Sequence, residues 1–378
     1  MSGKKVLLLV SLAVLAAAVY LFGLRRDMSD FRVCFQAGGR VLKGETLYRS
    51  SDGHLQFKYA PAAALVYAPL STLPWEAAKA VWFVVMILGL AGLLKTLSLW
   101  ASDRGRSAVQ PLVWTVVVMA KCLGREFQLG QVNVMILFLL TVAARDAFSG
   151  RDIRSGLLWG LSILFKPYGL VFLPYLVLKR KGRTLAFGAG AFLAGLLIPA
   201  GIYGFGGNLT VLEEWVRTLS ASTPGLLSVG DNASIFAFLA KVFHLSSGAA
   251  MAAGGIVAAG LGVFLLLLII RGTRDKISGA WFAETAVLMM FIPLLSPLGW
   301  NYNYLYGLPA VFALLTVRPD FRKGERAVSA ANFVLIGGTL RETMGKAFFR
   351  YYTRTALIVP SFLLVFAQLL SARRRRLL

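Results

Sequence analysis

Apolar residues fall in long blocks along this chain, and polar residues collect in the short gaps between them. A helix needs about 20 apolar residues to cross the hydrocarbon of a bilayer. Blocks of that kind predict helices over 5–24, 77–100, 109–123, 131–148, 184–204, 248–270, 280–296, 301–317 and 355–371. The first is free of charge from Val6 to Leu24. Its charged start resembles a signal peptide, but its apolar core is long and no small-residue cleavage site follows, so a retained first helix is expected. The block 156–178 is interrupted by Lys166-Pro167. Proline removes a backbone donor and lysine is costly against lipid, so the expectation is two half-helices, one up and one down, meeting there. The stretch 60–75 is short and punctuated by proline, which suits a re-entrant or interfacial piece. The stretch 327–340 is counted as a further crossing.

Composition turns these blocks into a class. With 57% hydrophobic residues and a mean hydropathy of +0.70, the 378 residues are too apolar for a soluble globular protein. The expected fold is an all-α polytopic membrane protein forming a single integral membrane domain over 1–378. The net charge of +23 does not indicate nucleic acid, because Lys and Arg cluster in short loops between apolar blocks. Placing Lys4 and Lys5 in the cytoplasm, and counting the broken segment as a hairpin, sends 103–106, 145–154, 179–183, 271–276, 318–326 and 373–376 to the same side. That gives about twelve crossings by the length rule, with both termini cytoplasmic. Cys34 and Cys122 make no disulfide framework. The two histidines are far apart in sequence, so no metal and no cofactor are expected. No internal repeat is visible.

The same topology gathers the unusual polar groups on the extracytoplasmic face. They are Asp27 and Asp30 in the first loop (about 25–59), His54, Arg125, Glu126, Gln128, Gln131, Asn133, Lys166, Asp231, Asn232, and the run Trp300, Asn301, Tyr302, Asn303 and Tyr304. Acids at a membrane boundary are expensive unless they sit at the interface or do work. Such a collection suits a polar ligand carrying an apolar tail. For a sugar linked to a lipid through phosphate, the leaving group needs cations to hold it. One carboxylate must take a proton from the attacking hydroxyl. Aromatic faces and amides would hold the sugar rings. A lone base implies inversion at the anomeric carbon, whereas retaining enzymes use a second carboxylate close by.

Several blocks carry a resemblance. The first-loop run DFRVCFQAGGRVLKGETLY (30–48) is similar to the loop signature of glycosyltransferase family 87. So are FKYAPAAALVYAPLSTLP (57–74), LGQVN (129–133), GLSILFKPYGLVFLPYLVLKRK (160–181), GDNASIFAFLAKVF (230–243) and LLSPLGWNYNYLYGLPA (294–310), in the family's order. The resemblance implies a GT-C-like fold and a hexosyltransferase-type, mannosyltransferase-like enzyme using a polyprenyl-phosphate sugar. It would act on a lipid or cell-envelope glycan acceptor outside the cytoplasmic membrane, with membrane lipids around it and Asp30 as base. Two places depart from the family's pattern: Tyr59-Ala60-Pro61 stands for Tyr-Pro-Pro, and Gly230-Asp231-Asn232-Ala233-Ser234 carries one residue more than the usual amide-rich motif.

Each candidate also has a plain structural reading. Asp30 is the catalytic base or a helix N-cap. Asp27 is a second base candidate or the partner of Arg25 or Arg26. Lys166, Arg125 and His54 bind donor phosphate, or they are a hairpin tip, a surface-reaching arginine paired with Glu126, and a loop residue. Gln131 and Asn133, two apart at a helix start, are expected to point in different directions, with one of them bonding between helices. Asp231 and Asn232 contact substrate, or Asp231 caps the helix that follows. Trp300, Asn301, Tyr302 and Asn303 contact sugar, or the aromatics form an interfacial belt. Arg350 and Arg354 are the main basic exceptions on the outer face. A rival class, a transporter or flippase of lipid-linked substrates, would explain a broken helix at 156–178. It would also demand paired broken helices in two repeat halves.

Overall fold

The computed structural model describes residues 20, 28–222, 226–227, 229–274, 280–375 and 377–378. Among them every regular element is a helix. In chain order these are α1 (Ser29–Leu42), α2 (Pro61–Ser71), α3 (Trp75–Ser102), α4 (Val109–Leu129), α5 (Asn133–Phe148), α6 (Asp152–Phe165), α7 (Leu173–Leu178), α8 (Gly182–Leu197) and α9 (Ala200–Ser222). They continue with α10 (Ile235–Val242), α11 (Ser247–Arg274), α12 (Trp281–Leu295), α13 (Leu308–Val317), α14 (Lys323–Gly338), α15 (Arg341–Arg354) and α16 (Ile358–Arg374). Short 3-10 turns at Ser50–Leu55, Pro167–Phe172, Asn301–Gly307 and Arg318–Asp320 join some of them. The first apolar block, with Asp27, lies outside the described residues except for Tyr20.

Two helices, Trp75–Ser102 and Ser247–Arg271, are long and apolar enough to cross a membrane alone. Three bent pairs pass the same test together: α4 with α5 at 119°, α8 with α9 at 91°, and α15 with α16 at 76°. Among the described residues helix length alone supports two to five spans, with the shorter apolar helices Pro61–Ser71, Pro167–Leu178 and Trp281–Leu295 beside them; the dozen crossings that the apolar blocks suggest are not reproduced by helix length. The physical reason is breakage. The blocks 109–123 and 131–148 become one bent pair, and the stretch 327–340 sits in α14, a 16-residue helix that begins with Lys323, Glu325 and Arg326. The break at Lys166 stands where the sequence places it. Lys166 is extended, at φ −147° and ψ 141°, the region favoured before proline. The stretch 60–75 forms the 11-residue α2, hung on the end of α6 by Ala60 N donating to Leu164 O at 3.1 Å.

The bundle has two chemically distinct ends. At one, Arg106 pairs with Asp320 at 2.7 Å and Arg375 with Glu325 at 3.0 Å. Lys179 and Arg373 both reach the buried Glu284, at 2.8 and 2.9 Å. Lys181 lies over Phe148, 4.9 Å from the ring centroid, and Phe148 stacks on Trp281. The basic loops around 103–106, 145–154, 179–183 and 318–326 and the C-terminal arginines thus share one end. A buried carboxylate needs such partners, and losing one typically costs about 3–5 kcal/mol. From this end α3, α4, α5, α6, α12 and α13 run to the other, where their broken termini meet.

Close glycine packing sets the position of α6. Gly156 and Gly160, four apart, face α8, and a Cβ on either would stand 2.5 Å from Thr184 O and 2.4 Å from Gly188 O respectively. Small residues at this spacing let membrane helices approach backbone to backbone. Gly160→Val is therefore expected to destabilise the protein by about 1–3 kcal/mol, the usual cost of overpacking. The check is the thermal unfolding midpoint of purified protein, and an unchanged midpoint would contradict the packing described. Because α6 ends at Lys166, the same variant should also lose activity.

Candidate active site

Asp30 stands in the first turn of α1. This helix is amphipathic: Phe31, Cys34, Ala37, Gly38 and Val41 line its buried face. Phe31 stacks against Trp75 and Trp82 at 5.6 and 5.5 Å between centroids. A Cβ on Gly38 would meet the Tyr67 backbone at 2.7 Å, so α1 lies directly on α2. The N-cap position belongs to Met28, in the left-handed region at φ 61°, with no side-chain cap. Asp30 is thus not a helix cap. Its Oδ2 accepts from Gln131 Nε2, and its Oδ1 accepts from the Ser29 hydroxyl at 3.4 Å.

Gln131 and Asn133 lie at the break between α4 and α5. Gly130, at φ 67°, ends α4 in the left-handed region that glycine adopts without strain. The chain turns there, and Gln131 escapes helical geometry. The expectation that Gln131 and Asn133 point apart is therefore corrected: both side-chain carbonyls accept from Lys166 Nζ, at 3.0 and 2.8 Å. Gln131 Oε1 also accepts from Tyr59 Oη at 3.3 Å, and its Nε2 reaches Tyr302 Oη at 3.3 Å. Asn133 Nδ2 donates to Glu126 Oε2 at 2.8 Å and to Asn303 Oδ1 at 3.4 Å, and its Oδ1 takes Tyr306 Oη at 3.2 Å. Glu126 Oε1 accepts from Val134 N at 3.1 Å. Asn303 Nδ2 donates to Tyr168 Oη at 3.3 Å. The interhelical bonding expected of one amide is seen at Asn133.

The polarity of this network leaves little choice. An ammonium only donates and a carboxylate only accepts. Gln131 must then turn its carbonyl to Lys166 and its amide nitrogen to Asp30, so one amide couples the acid to the cation. The side chains form two layers. Glu126, Gln131, Asn133, Asn303 and Tyr306 are buried, while Asp30, Lys166, Tyr59, Tyr168 and Tyr302 are only partly so. The Lys166 ammonium also lies 5.6 Å from the rings of Tyr59 and Tyr168. A satisfied, buried floor holds an acid and a base whose outer sides remain open, which is the arrangement a reactive site needs.

The other candidates are placed differently. Arg125 is exposed and donates to Gln128 Oε1 at 2.8 Å; it does not pair with Glu126. His54 belongs to the 3-10 turn Ser50–Leu55, which Asp52 ties to α1 through Arg40 at 2.5 and 2.8 Å. Asp231 does not cap α10, because Ser234 does, its Oγ accepting from Ala237 N at 3.0 Å. Asn232 is buried, and its amide is spent on the backbone. It donates to Leu226, Leu227 and Pro297 carbonyls and accepts from Ser234 N and Gly299 N. It clasps two loops, which brings Trp300 beside it as a bridge partner. Asn301 N donates to Asp231 O at 2.9 Å, and Asn301 Oδ1 is buried without a hydrogen-bond partner.

Sequence reasoning assigned no role to Tyr59, Tyr168, Tyr306 or Lys58, and took Glu126 only as one of the outer-face polar groups and a partner for Arg125. Glu126 had a signal, an acid on the same helix face as the buried Cys122 and Met119. Lys58 is half-buried; burial pushes its amine below the ordinary lysine value, while the nearby Asp30 carboxylate favours its charge. Nothing in the local sequence of Lys58 distinguishes it from a surface lysine.

One partly open carboxylate beside an ammonium, at the broken ends of apolar helices, can take a proton from a hydroxyl and hold an anionic leaving group. Such an arrangement suits a membrane-embedded group-transfer enzyme. Residues 57–297 match the family model described as Glycosyltransferase family 87. The chain belongs to that family and is a membrane glycosyltransferase. Its similar relatives include a polyprenol-phosphate-mannose-dependent alpha-(1-2)-phosphatidylinositol pentamannoside mannosyltransferase of Mycolicibacterium smegmatis, 25% identical over 82% of this chain and 74% of the relative. Another is a polyprenol-phosphate-mannose-dependent alpha-(1-2)-phosphatidylinositol mannoside mannosyltransferase of Mycobacterium tuberculosis, 26% identical over 82% of this chain and 77% of the relative. A third, an alpha-(1->3)-arabinofuranosyltransferase of Corynebacterium glutamicum, is 27% identical over 81% and 72%. Family membership favours transfer chemistry over the transporter or flippase alternative.

Proposed function

We propose that this protein is an inverting glycosyltransferase that moves a sugar, mannose or a similar hexose or pentose, from a polyprenyl-phosphate donor to a hydroxyl of a lipid-linked or cell-surface glycan. The observation that carries this reading is the Asp30–Gln131–Lys166 chain of hydrogen bonds. Asp30 is the base that takes the acceptor hydroxyl's proton. The acceptor oxygen then bonds to the anomeric carbon as the bond to phosphate breaks. The departing phosphate gains charge, which Lys166, and Lys58 near Asp30, stabilise. Tyr59, Tyr168 and Tyr302 supply ring faces and hydroxyls for the sugar, with Arg125 at the rim. Direct displacement is supported by the state of the second carboxylate: Glu126 is spent on Asn133 and Val134 N. No divalent ion or other cofactor is required.

The positive-inside rule puts the end rich in paired basic loops in the cytoplasm. The site then lies on the extracytoplasmic side of the inner membrane, with the bent helix pairs and shorter helices completing a multi-pass, GT-C-like architecture within one domain. The relatives' names support a lipid-borne mannosyl or arabinofuranosyl donor and, for the two mannosyltransferases, a phosphatidylinositol mannoside acceptor. Purified protein offered a panel of radiolabelled polyprenyl-phosphate sugars should yield labelled glycolipid from at least one donor. Movement of donor across a vesicle bilayer without product would overturn the reading.

Lys58 gives the reading a pH signature. Its folded-state pKa is lowered from 10.5, so its charge is lost at a lower pH than an ordinary lysine's. The KM for donor should therefore rise on the alkaline side before pH 10.5 is reached, and Lys58→Arg should shift that rise upward, since arginine keeps its charge. An alkaline limb identical in both proteins would remove Lys58 from the site.

A further inference from the structure

A second anion-receptive feature lies outside the reaction centre. A cleft of about 610 Å³ opens between the C-terminal end of α10 and α15, lined by Gly230, Lys241, His244, Arg350, Arg354 and Thr355 among others. Its size is within the range of about 300–1,000 Å³ usual for small-molecule sites. Four cationic or titratable nitrogen side chains line it, and no carboxylate does. Arg350 and Arg354 are four apart on α15 and so share a face. Among the described residues neither makes a hydrogen bond or an ion pair. His244 follows α10 with its backbone in the left-handed region at φ 54°.

The floor of the cleft is built rather than loose. Lys241 Nζ donates to the carbonyls of Gly230 and Asn232. The same loop is stitched to the segment that carries Tyr302. Ala233 N donates to Gly299 O at 2.6 Å, and Asn301 N to Asp231 O at 2.9 Å; Tyr304 Oη reaches Ala233 O at 2.6 Å. The cleft therefore belongs to the end of the bundle that holds the reaction centre, opposite the ion-paired basic loops. Retention of basic loops on one side of the membrane accounts for that other cluster and cannot account for this one. Arg350 and Arg354 are exposed and hold two cationic forks one turn apart, an arrangement that an anionic ligand complements.

We infer that the cleft between α10 and α15 is a phosphate-binding site, separate from the Asp30–Lys166 centre, that takes the phosphodiester of a lipid head group or a free phosphate through Arg350, Arg354 and His244. Arginine forks match phosphate oxygens in pairs, and Val242, Phe243 and Tyr351 beside them expose apolar surface on which a lipid tail would continue.

The test is direct binding, without turnover. Full-length protein in neutral detergent is titrated calorimetrically with inorganic phosphate and, separately, with dihexanoyl phosphatidylglycerol. At least one should bind, and Arg350→Ala/Arg354→Ala should weaken that binding about tenfold or more. Arg350→Lys/Arg354→Lys should retain most of it, and an unchanged unfolding midpoint shows that the alanine variant folds. Binding of the lipid alone, or of phosphate alone, supports the site and names its source. Two results overturn it: no binding of either probe, or binding that survives the double alanine variant and is lost in Lys166→Ala, which would place the phosphate in the reaction centre. Neither result depends on whether the protein transfers a sugar.

Discussion

Asp30→Asn is expected to remove sugar transfer while leaving the protein folded. Asparagine has almost the same shape, and its side-chain oxygen can still accept from Gln131 Nε2, as Asp30 Oδ2 does. What it cannot do is carry away a proton. General base catalysis contributes about 10²–10⁴ in rate, so turnover should fall by that factor, with a smaller change in the KM for donor. The assay is single-turnover transfer from a polyprenyl-phosphate sugar by purified protein, beside a folding control. Normal turnover in Asp30→Asn would end the assignment of Asp30 as the base. Asp27 would then be the next residue to test.

The second large effect is expected at Lys166. Lys166→Met keeps the length of the side chain and removes its charge. The amide carbonyls of Gln131 and Asn133 lose the ammonium that now donates to both. If that ammonium stabilises the leaving phosphate, its loss costs about 10²–10³ in kcat, the scale of removing one electrostatic donor. Lys166→Arg should not restore it. The guanidinium is planar and larger, and the lysine seat lies between two amides and two tyrosine rings. A merely structural role would show up differently, with a lower unfolding midpoint and full activity per folded molecule.

Much of the site was legible in the chain because its residues break local rules. A lysine before a proline inside an apolar run is such a break, and Lys166 ends α6 as that pair predicts. Asp30 stood out as an acid at the mouth of a charge-free block. The amides of Gln131 and Asn133 stood out in the run around Gly130. Other parts could not be read. Nothing local says that Asn232 spends its amide on five backbone groups of neighbouring loops. That is decided by burial, which obliges a polar group to find partners wherever the fold supplies them. Nor does a helical register predict that Gln131 and Asn133 meet on one ammonium. That follows only once Gly130 turns the chain and α4 and α5 bend by 119°. The crossing count is not legible from apolar length alone for a related reason. Apolar length measures how much chain avoids water, but breaks divide that length into pieces shorter than a bilayer.

The chain by itself thus determined the apolar, all-helical class of this protein, its basic loops and its family, and it singled out Asp30 and Lys166 as candidates. The class and the candidates follow from composition and from isolated residues that are costly in an apolar setting, and the family from its motifs. Only the tertiary structure decided that a single amide joins Asp30 to Lys166, that Glu126 is occupied, that Lys58 belongs beside the acid, and that a cleft lined by arginines lies at the same end. Those facts depend on contacts between residues scores of positions apart, and local sequence cannot encode such contacts without the packing that creates them.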